Sequence, residues 1–144
     1  QPNISEREFQ EILKISGLQK VLDDLPEGIS TEINQFGMPL SQGNRVTLAL
    51  ARGLMARPRI LLIDEALANF DKSTQIAFFE NFPKISEMKT VLMATHDMRL
   101  TAEFEQIIVL DKGVVVGQGT HDDLLISCPL YKDLWIMDQK LSGI

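Results

Sequence analysis

Arg59-Ile60-Leu61-Leu62-Ile63-Asp64-Glu65 is the stretch that decides how this 144-residue chain is read. A short, continuous apolar run is the pattern of a strand buried on both faces of a parallel sheet. Two carboxylates directly after such a strand face the crevice where α/β proteins bind ligands. Working upstream, Pro58 ends a helix that starts at Ser41 and runs to about Ala56, with Val46, Leu50 and Leu54 every fourth residue. Working downstream, residues 73–82 read as a helix and Thr90 to Thr95 as a second buried strand. A short helix and a strand at Gln106 to Leu110 follow, and Asp111-Lys112-Gly113 makes a tight turn into Val114-Val115-Val116, a hairpin. Thr120 with Asp123 caps one more helix, and residues 130–140 form the last.

The beginning of the chain is helical. Ser5 and Glu8 have capping-box spacing, Phe9, Ile12, Leu13 and Ile15 form an apolar stripe, and Gly17 suits a left-handed stop. A second helix spans about Gln19 to Leu25 and breaks at Pro26-Glu27-Gly28, and residues 29–39 form an irregular connection. Strands alternating with helices imply an α/β fold with a mostly parallel sheet, beside which the helical first third forms a subdomain. The expected division is residues 1–57 and 58–144.

Composition narrows the function classes. Hydrophobic residues make up 44% and charged residues 24%, ordinary proportions for a folded soluble domain. The net charge of -6 argues against broad nucleic-acid binding, which needs basic excess for phosphate contacts. No apolar run approaches the ~20 residues of a membrane helix. No charged-then-apolar leader opens the chain, so the expectation is a reduced, cytosolic protein or a piece of one. A single cysteine, Cys128, excludes an internal disulfide framework and a cysteine metal cluster.

Three stretches carry chemistry. Leu40-Ser41-Gln42-Gly43-Asn44 opens the third helix, where unpaired N–H groups and the helix dipole favour an anion and Gly43 lets a phosphate approach. The same pentapeptide also reads as an ordinary N-cap. Asp64 can hold Mg²⁺ through its water shell and Glu65 can orient or deprotonate a water, or the pair is a solvated loop edge. Thr95-His96-Asp97 places a histidine after the second strand, where it can contact a terminal phosphate or act as a simple turn residue. His121 is read as structural.

Together, in this order and spacing, these stretches resemble ATP-binding cassette (ABC) ATPases. Leu40 to Arg45 is similar to the signature motif LSGGQ with its following basic residue, and Ala49-Leu50-Ala51-Arg52-Gly53-Leu54 to the ALARAL stretch. Arg59 to Glu65 matches the Walker B strand and Thr95-His96-Asp97 the switch histidine, 31 residues after Glu65. Thr31 to Gly37 resembles the X-loop of the exporter branch, Ala68-Asn69-Phe70-Asp71 stands in place of the D-loop, and Gly117 to Leu125 resembles the closing hairpin and helix start. The resemblance implies a partial P-loop NTPase core with a helical signature subdomain, using ATP and Mg²⁺. It assigns Mg²⁺ to Asp64, the hydrolytic water to Glu65 and the γ-phosphate to His96. Ser41, Gln42, Gly43 and Asn44 would clamp ATP bound to an opposing nucleotide-binding domain in a head-to-tail pair, with Asp71 at the seam. The X-loop segment would lie near transmembrane domains, on the cytoplasmic face of the cell membrane.

Departures from the family pattern are Gln42 for the first signature glycine, Asn44 for the glutamine, and Asn69-Phe70 for Ala-Leu of the D-loop. No G-x-x-x-x-G-K-[ST] occurs, and the adenine-stacking aromatic and Q-loop glutamine are missing from the matched region. The chain is therefore expected to be the carboxyl-terminal part of an exporter-type nucleotide-binding domain, with an unpaired sheet edge. Two other readings are a soluble ABC ATPase of DNA repair or translation, and a non-catalytic module that only completes a partner's site. Positioning the triphosphate supplies most of the catalysis in this reaction class. The chain by itself is expected to release no phosphate from ATP above blank in a malachite-green assay.

Overall fold

The computed structural model describes residues 4–65, 70, 72–87 and 89–141. They form two compact units, Gln1–Ala94 and Thr95–Ile144. The first holds α1 (Glu6–Ile15), α2 (Leu18–Asp23), α3 (Gln42–Met55), β1 (Ile60–Asp64), α4 (Lys72–Ser86) and β2 (Thr90–Ala94). The second holds β3 (Ile107–Asp111), β4 (Val114–Gly119), α5 (His121–Ser127) and α6 (Pro129–Leu141). The mixed α/β class read from the alternation of strands and helices is the class observed.

In the first unit the apolar stripe of α1 turns Ile12, Leu13 and Ile15 inward, and the helix packs against α2, α3 and α4. Ser5 caps α1, its Oγ accepting the Glu8 N–H at 3.3 Å. The Glu8 carboxylate takes the Arg57 guanidinium, with Arg57 Nε donating to Oε1 at 2.7 Å. Arg57 follows α3 at φ 49, the left-handed stop position, and its N–H returns to Leu54 O at 3.0 Å. This exposed pair joins the start of α1 to the end of α3, and its guanidinium holds Glu8 below the usual carboxylate range. Gly17 sits at φ 75 between α1 and α2.

Helix α4 runs further than its sequence reading. The sequence reading stopped it at residue 82, and Pro83 follows there, a residue that removes a helical N–H and clashes with the preceding turn. The helix instead continues through Pro83 to Ser86. Burial on both sides of the proline holds the last turn: Phe82 and Ile85 are buried, and Ser86 Oγ donates to Phe82 O and Pro83 O at 3.1 Å each. Phe78 anchors the helix, its ring edge-on to Phe70 with centroids 6.4 Å apart.

Strands β1 and β2 pair in parallel, from Ile60 opposite Thr90 to Asp64 opposite Ala94. The expectation of two strands buried on both faces is corrected here. Leu61 and Ile63 are buried, but Ile60 is 62% exposed, Leu62 68% and Leu92 58%. Only one face is covered among the described residues, with Leu61 against α3 near Gly53. An apolar run fixes strand character but not how many layers lie on it, because cover comes from segments distant in sequence.

In the second unit β3 and β4 form an antiparallel hairpin with a bulge between Val109 and Leu110, and Lys112 and Gly113 turn it at positive φ as hairpin twist requires. Its inner face meets α5 and α6 over Met98, Ile107, Val109, Leu124, Cys128 and Tyr131. Gly117 is where β4 presses on α5, since a Cβ there would lie 2.9 Å from Cys128 Sγ and 3.0 Å from Leu124. The capping box of α5 forms in full, with Thr120 and Asp123 exchanging bonds.

The uncovered row Ile60, Leu62 and Leu92 is expected to drive self-association. Static light scattering of the chain should give a mass that rises with concentration, and the double variant Leu62→Lys, Leu92→Lys should flatten that rise. An unchanged slope in the double variant would place the association elsewhere.

Candidate functional site

Ser41 is the N-cap of α3, with extended backbone and an Oγ that accepts the Asn44 N–H at 3.1 Å. Arg45 N donates to Ser41 O, so the N–H groups of Gln42 and Gly43 precede the first intrahelical bond. Ser41 and Gln42 are exposed, Gly43 and Asn44 half-buried. This tip presents backbone donors and a hydroxyl at the positive end of a 14-residue helix, a donor set that fits a phosphate.

A loop of residues 31–39 is fastened beside the tip. Asn34 Oδ1 accepts the N–H groups of Phe36 at 2.9 Å and Met38 at 3.1 Å, and Arg45 Nη1 donates to Phe36 O at 2.9 Å. Gly37 lies at φ 81 with the Arg45 side chain against it, so a Cβ would meet Arg45 Cδ at 2.5 Å. The basic residue that follows the signature-like pentapeptide therefore holds the loop to the helix. Phe36 and Met38 stay exposed.

Asp64 is the last residue of β1, and Glu65 follows it at φ 46. A left-handed conformation costs a non-glycine residue about 1–3 kcal/mol and concentrates at functional positions. The Glu65 N–H donates to Ala94 O at 2.9 Å, extending the ladder one step past the strand and fixing this conformation. Both carboxylate residues are exposed. No group of three or more metal-ligating side chains occurs among the described residues. Mg²⁺ is ordinarily held by one or two carboxylates with phosphate and water, and Asp64 fits that mode.

His96 lies two residues beyond Ala94, in the second unit, and is exposed. Its neighbour Asp97 opens the 3-10 turn Met98–Glu103, accepting the Arg99 N–H at 3.1 Å and Arg99 Nε at 2.8 Å. The Arg99 guanidinium is the main cause that lowers the Asp97 pKa. Asp71 falls outside the described residues. Ser41, Gln42, Gly43 and Asn44 thus share one helix tip, and Asp64 and Glu65 one strand end.

Sequence reasoning missed one hydrogen-bonded cluster. Tyr131, 2% exposed, has its hydroxyl 2.7 Å from Thr101 Oγ1 and 2.7 Å from His121 Nδ1, and the His121 ring lies edge-on to Trp135 at 4.4 Å. The signal was there in the shared apolar spacing of Tyr131 and Trp135 on the last helix. His121 is a satisfied structural residue, as read. Burial raises the Tyr131 pKa.

A parallel strand ending in an acidic pair, a serine-capped glycine helix tip and a mixed α/β architecture define the class: the nucleotide-binding fold of ABC exporters. The chain is 35% identical over 131 residues to a putative export ATP-binding/permease protein of Rickettsia bellii, covering 91% of the chain and 23% of that protein. It is 38% identical over 124 residues to the glutathione/L-cysteine transport system ATP-binding/permease protein CydC of Escherichia coli, covering 86% of the chain and 21% of that protein. Its structure matches that of a bacterial Atm1-family ABC exporter with ATP bound, at TM-score 0.85 and 31% identity, over 95% of this chain and 24% of that one. No protein-family model matches. The chain spans about a quarter of the length of these relatives, and its likeness to exporter ATP-binding/permease proteins is the one read from its motifs.

Because the folded-state pKa of Asp97 is depressed, its ion pair stabilises the fold above the unfolded carboxylate value near pH 4 and is lost as pH falls through the folded value. Its partner Arg99 is exposed and the pair is screened by solvent, so the effect stays under about 1 kcal/mol. Acid denaturation followed by circular dichroism should begin below about pH 4. Asp97→Asn should lose a little stability at pH 7, and the difference from the parent should shrink to nothing as pH falls through the depressed folded-state value.

Proposed function

We propose that this chain is part of the ATP-binding and hydrolysing domain of an ABC exporter. Residues 1–57 form the helical signature subdomain and residues 58–144 the carboxyl-terminal half of the α/β catalytic core. The observation that carries the reading is the end of β1, where Asp64 and the left-handed Glu65 project past a parallel strand and are tied to Ala94. Similarity to ATP-binding/permease proteins over about nine-tenths of the chain supports it.

In this reading Asp64 holds Mg²⁺, which when bound neutralises charge on the phosphates. Glu65 orients the attacking water and takes its proton. Its backbone is pinned by the strand ladder, so only the side-chain torsions need to be ordered. His96 contacts the terminal phosphate. Ser41, Gln42, Gly43 and Asn44 present N–H and hydroxyl donors to ATP carried by a second nucleotide-binding domain, and Asp71 lies at the seam of that pair. The exposed Phe36 and Met38, held out by Asn34 and Arg45, face the transmembrane domains. The assembly works at the cytoplasmic face of the membrane. No described helix is long and apolar enough to cross it. An acidic chain with no basic excess does not favour the DNA-repair or translation alternative.

The test uses the full-length protein. Glu65→Gln should lower ATP turnover about 10²- to 10⁴-fold with nucleotide binding by equilibrium dialysis retained. Ser41→Ala should reduce turnover and also cost about 1 kcal/mol of stability through the lost cap. Full turnover in Glu65→Gln would remove that carboxylate from the chemistry.

A further inference from the structure

His96 is exposed, but the backbone that carries it is fastened. Thr95 Oγ1 accepts the Asp97 N–H at 3.0 Å, closing a ring that contains both backbone torsions of His96. Asp97 is fastened in turn. Its Oδ1 accepts the Arg99 N–H at 3.1 Å and Arg99 Nε at 2.8 Å, and the Arg99 guanidinium also reaches Oδ2. The turn that follows is buried at its base, where Met98 and Leu100 pack inward. There Thr101 Oγ1 donates to Met98 O and meets the Tyr131 hydroxyl, each at 2.7 Å. An exposed imidazole thus leaves from an anchored base.

We propose that Thr95 is a positioning residue for His96, its hydroxyl holding the direction in which the imidazole leaves the backbone. This role rests on the reading in which His96 contacts the terminal phosphate. A group that meets a reacting phosphate has to be in place before the phosphate arrives, since a displacement of about 1 Å can cost about 10²-fold in rate. The two soft torsions φ and ψ set where a side chain starts, and the Thr95 ring takes up both. The Asp97–Arg99 pair is the second arm, because it ties the far end of that ring to the buried turn. Thr95 acts through His96 and needs no contact with nucleotide of its own. The stability that such a turn also contributes acts on the amount of folded protein, not on turnover per folded molecule.

The test measures steady-state ATP turnover of the full-length protein, with the folded fraction of each variant set by circular dichroism. In Thr95→Val, which keeps the β-branched shape and removes the hydroxyl, kcat should fall roughly tenfold with KM for ATP within about twofold. Thr95→Ser, which can close the same ring, should restore kcat. Introduced into His96→Ala, Thr95→Val should lower the residual kcat no further, because the group it positions is gone. An equal fall in both backgrounds makes Thr95 a structural residue and overturns the proposal, as does an unchanged kcat in Thr95→Val alone. If Thr95→Val does not fold, Arg99→Gln takes its place by loosening the second arm. It should lower kcat about threefold, only where His96 is present, and an unchanged kcat there overturns the proposal. Full turnover in His96→Ala overturns the reading of His96 itself and the positioning role with it.

Discussion

The hydrogen bond from Glu65 N–H to the Ala94 carbonyl, at 2.9 Å, is the constraint on which the acidic end of the sheet depends. It comes one residue after the five-residue register of β1 and β2 closes. Without it the backbone at Glu65 could relax from φ 46 to an extended conformation, swinging its carboxylate to the other side of the strand axis. Parallel pairing is therefore more than scaffold: the last rung of the ladder sets the direction of the Glu65 side chain. Burial of Leu61 and Ile63 on one face supplies the stability that holds this strained residue.

A comparable economy governs the helix tip. Ser41 uses its Oγ as the acceptor for Asn44 N–H, which leaves the hydroxyl hydrogen directed away from the helix. Arg45 is one turn further on, and its guanidinium is spent on the Phe36 carbonyl. A basic residue so close to a helix tip whose donors fit a phosphate is placed to meet an anion there. Here it acts as a strut that sets the position of the loop relative to the tip, and Gly37 is small because that strut passes over it.

Much of this was legible in the sequence, for physical reasons that differ by element. The caps at Ser5, Ser41 and Thr120 are local, involving residues three apart, and each formed as read. The acidic pair could be placed because an aliphatic run followed by carboxylates constrains where the strand ends. Two features were not legible. The extension of α4 past Pro83 depends on Phe82 and Ile85 finding a core, which a local propensity cannot express. The exposure of Ile60, Leu62 and Leu92 depends on what lies over the sheet.

The cluster in the second unit makes the same point through proton direction. Thr101 Oγ1 has one hydrogen, and Met98 O lies 2.7 Å away as its acceptor. Thr101 must then accept from Tyr131, whose hydroxyl hydrogen is thereby used, and the Tyr131 oxygen accepts from His121 Nδ1–H. The chain of donors orients the His121 ring, with Nδ1 turned to the Tyr131 hydroxyl. Replacing Tyr131 by phenylalanine would remove the donor to Thr101 Oγ1 and the partner of His121 Nδ1 together. The weak point of the unit is the tyrosine, because its one hydroxyl joins the buried Thr101 to the half-buried His121.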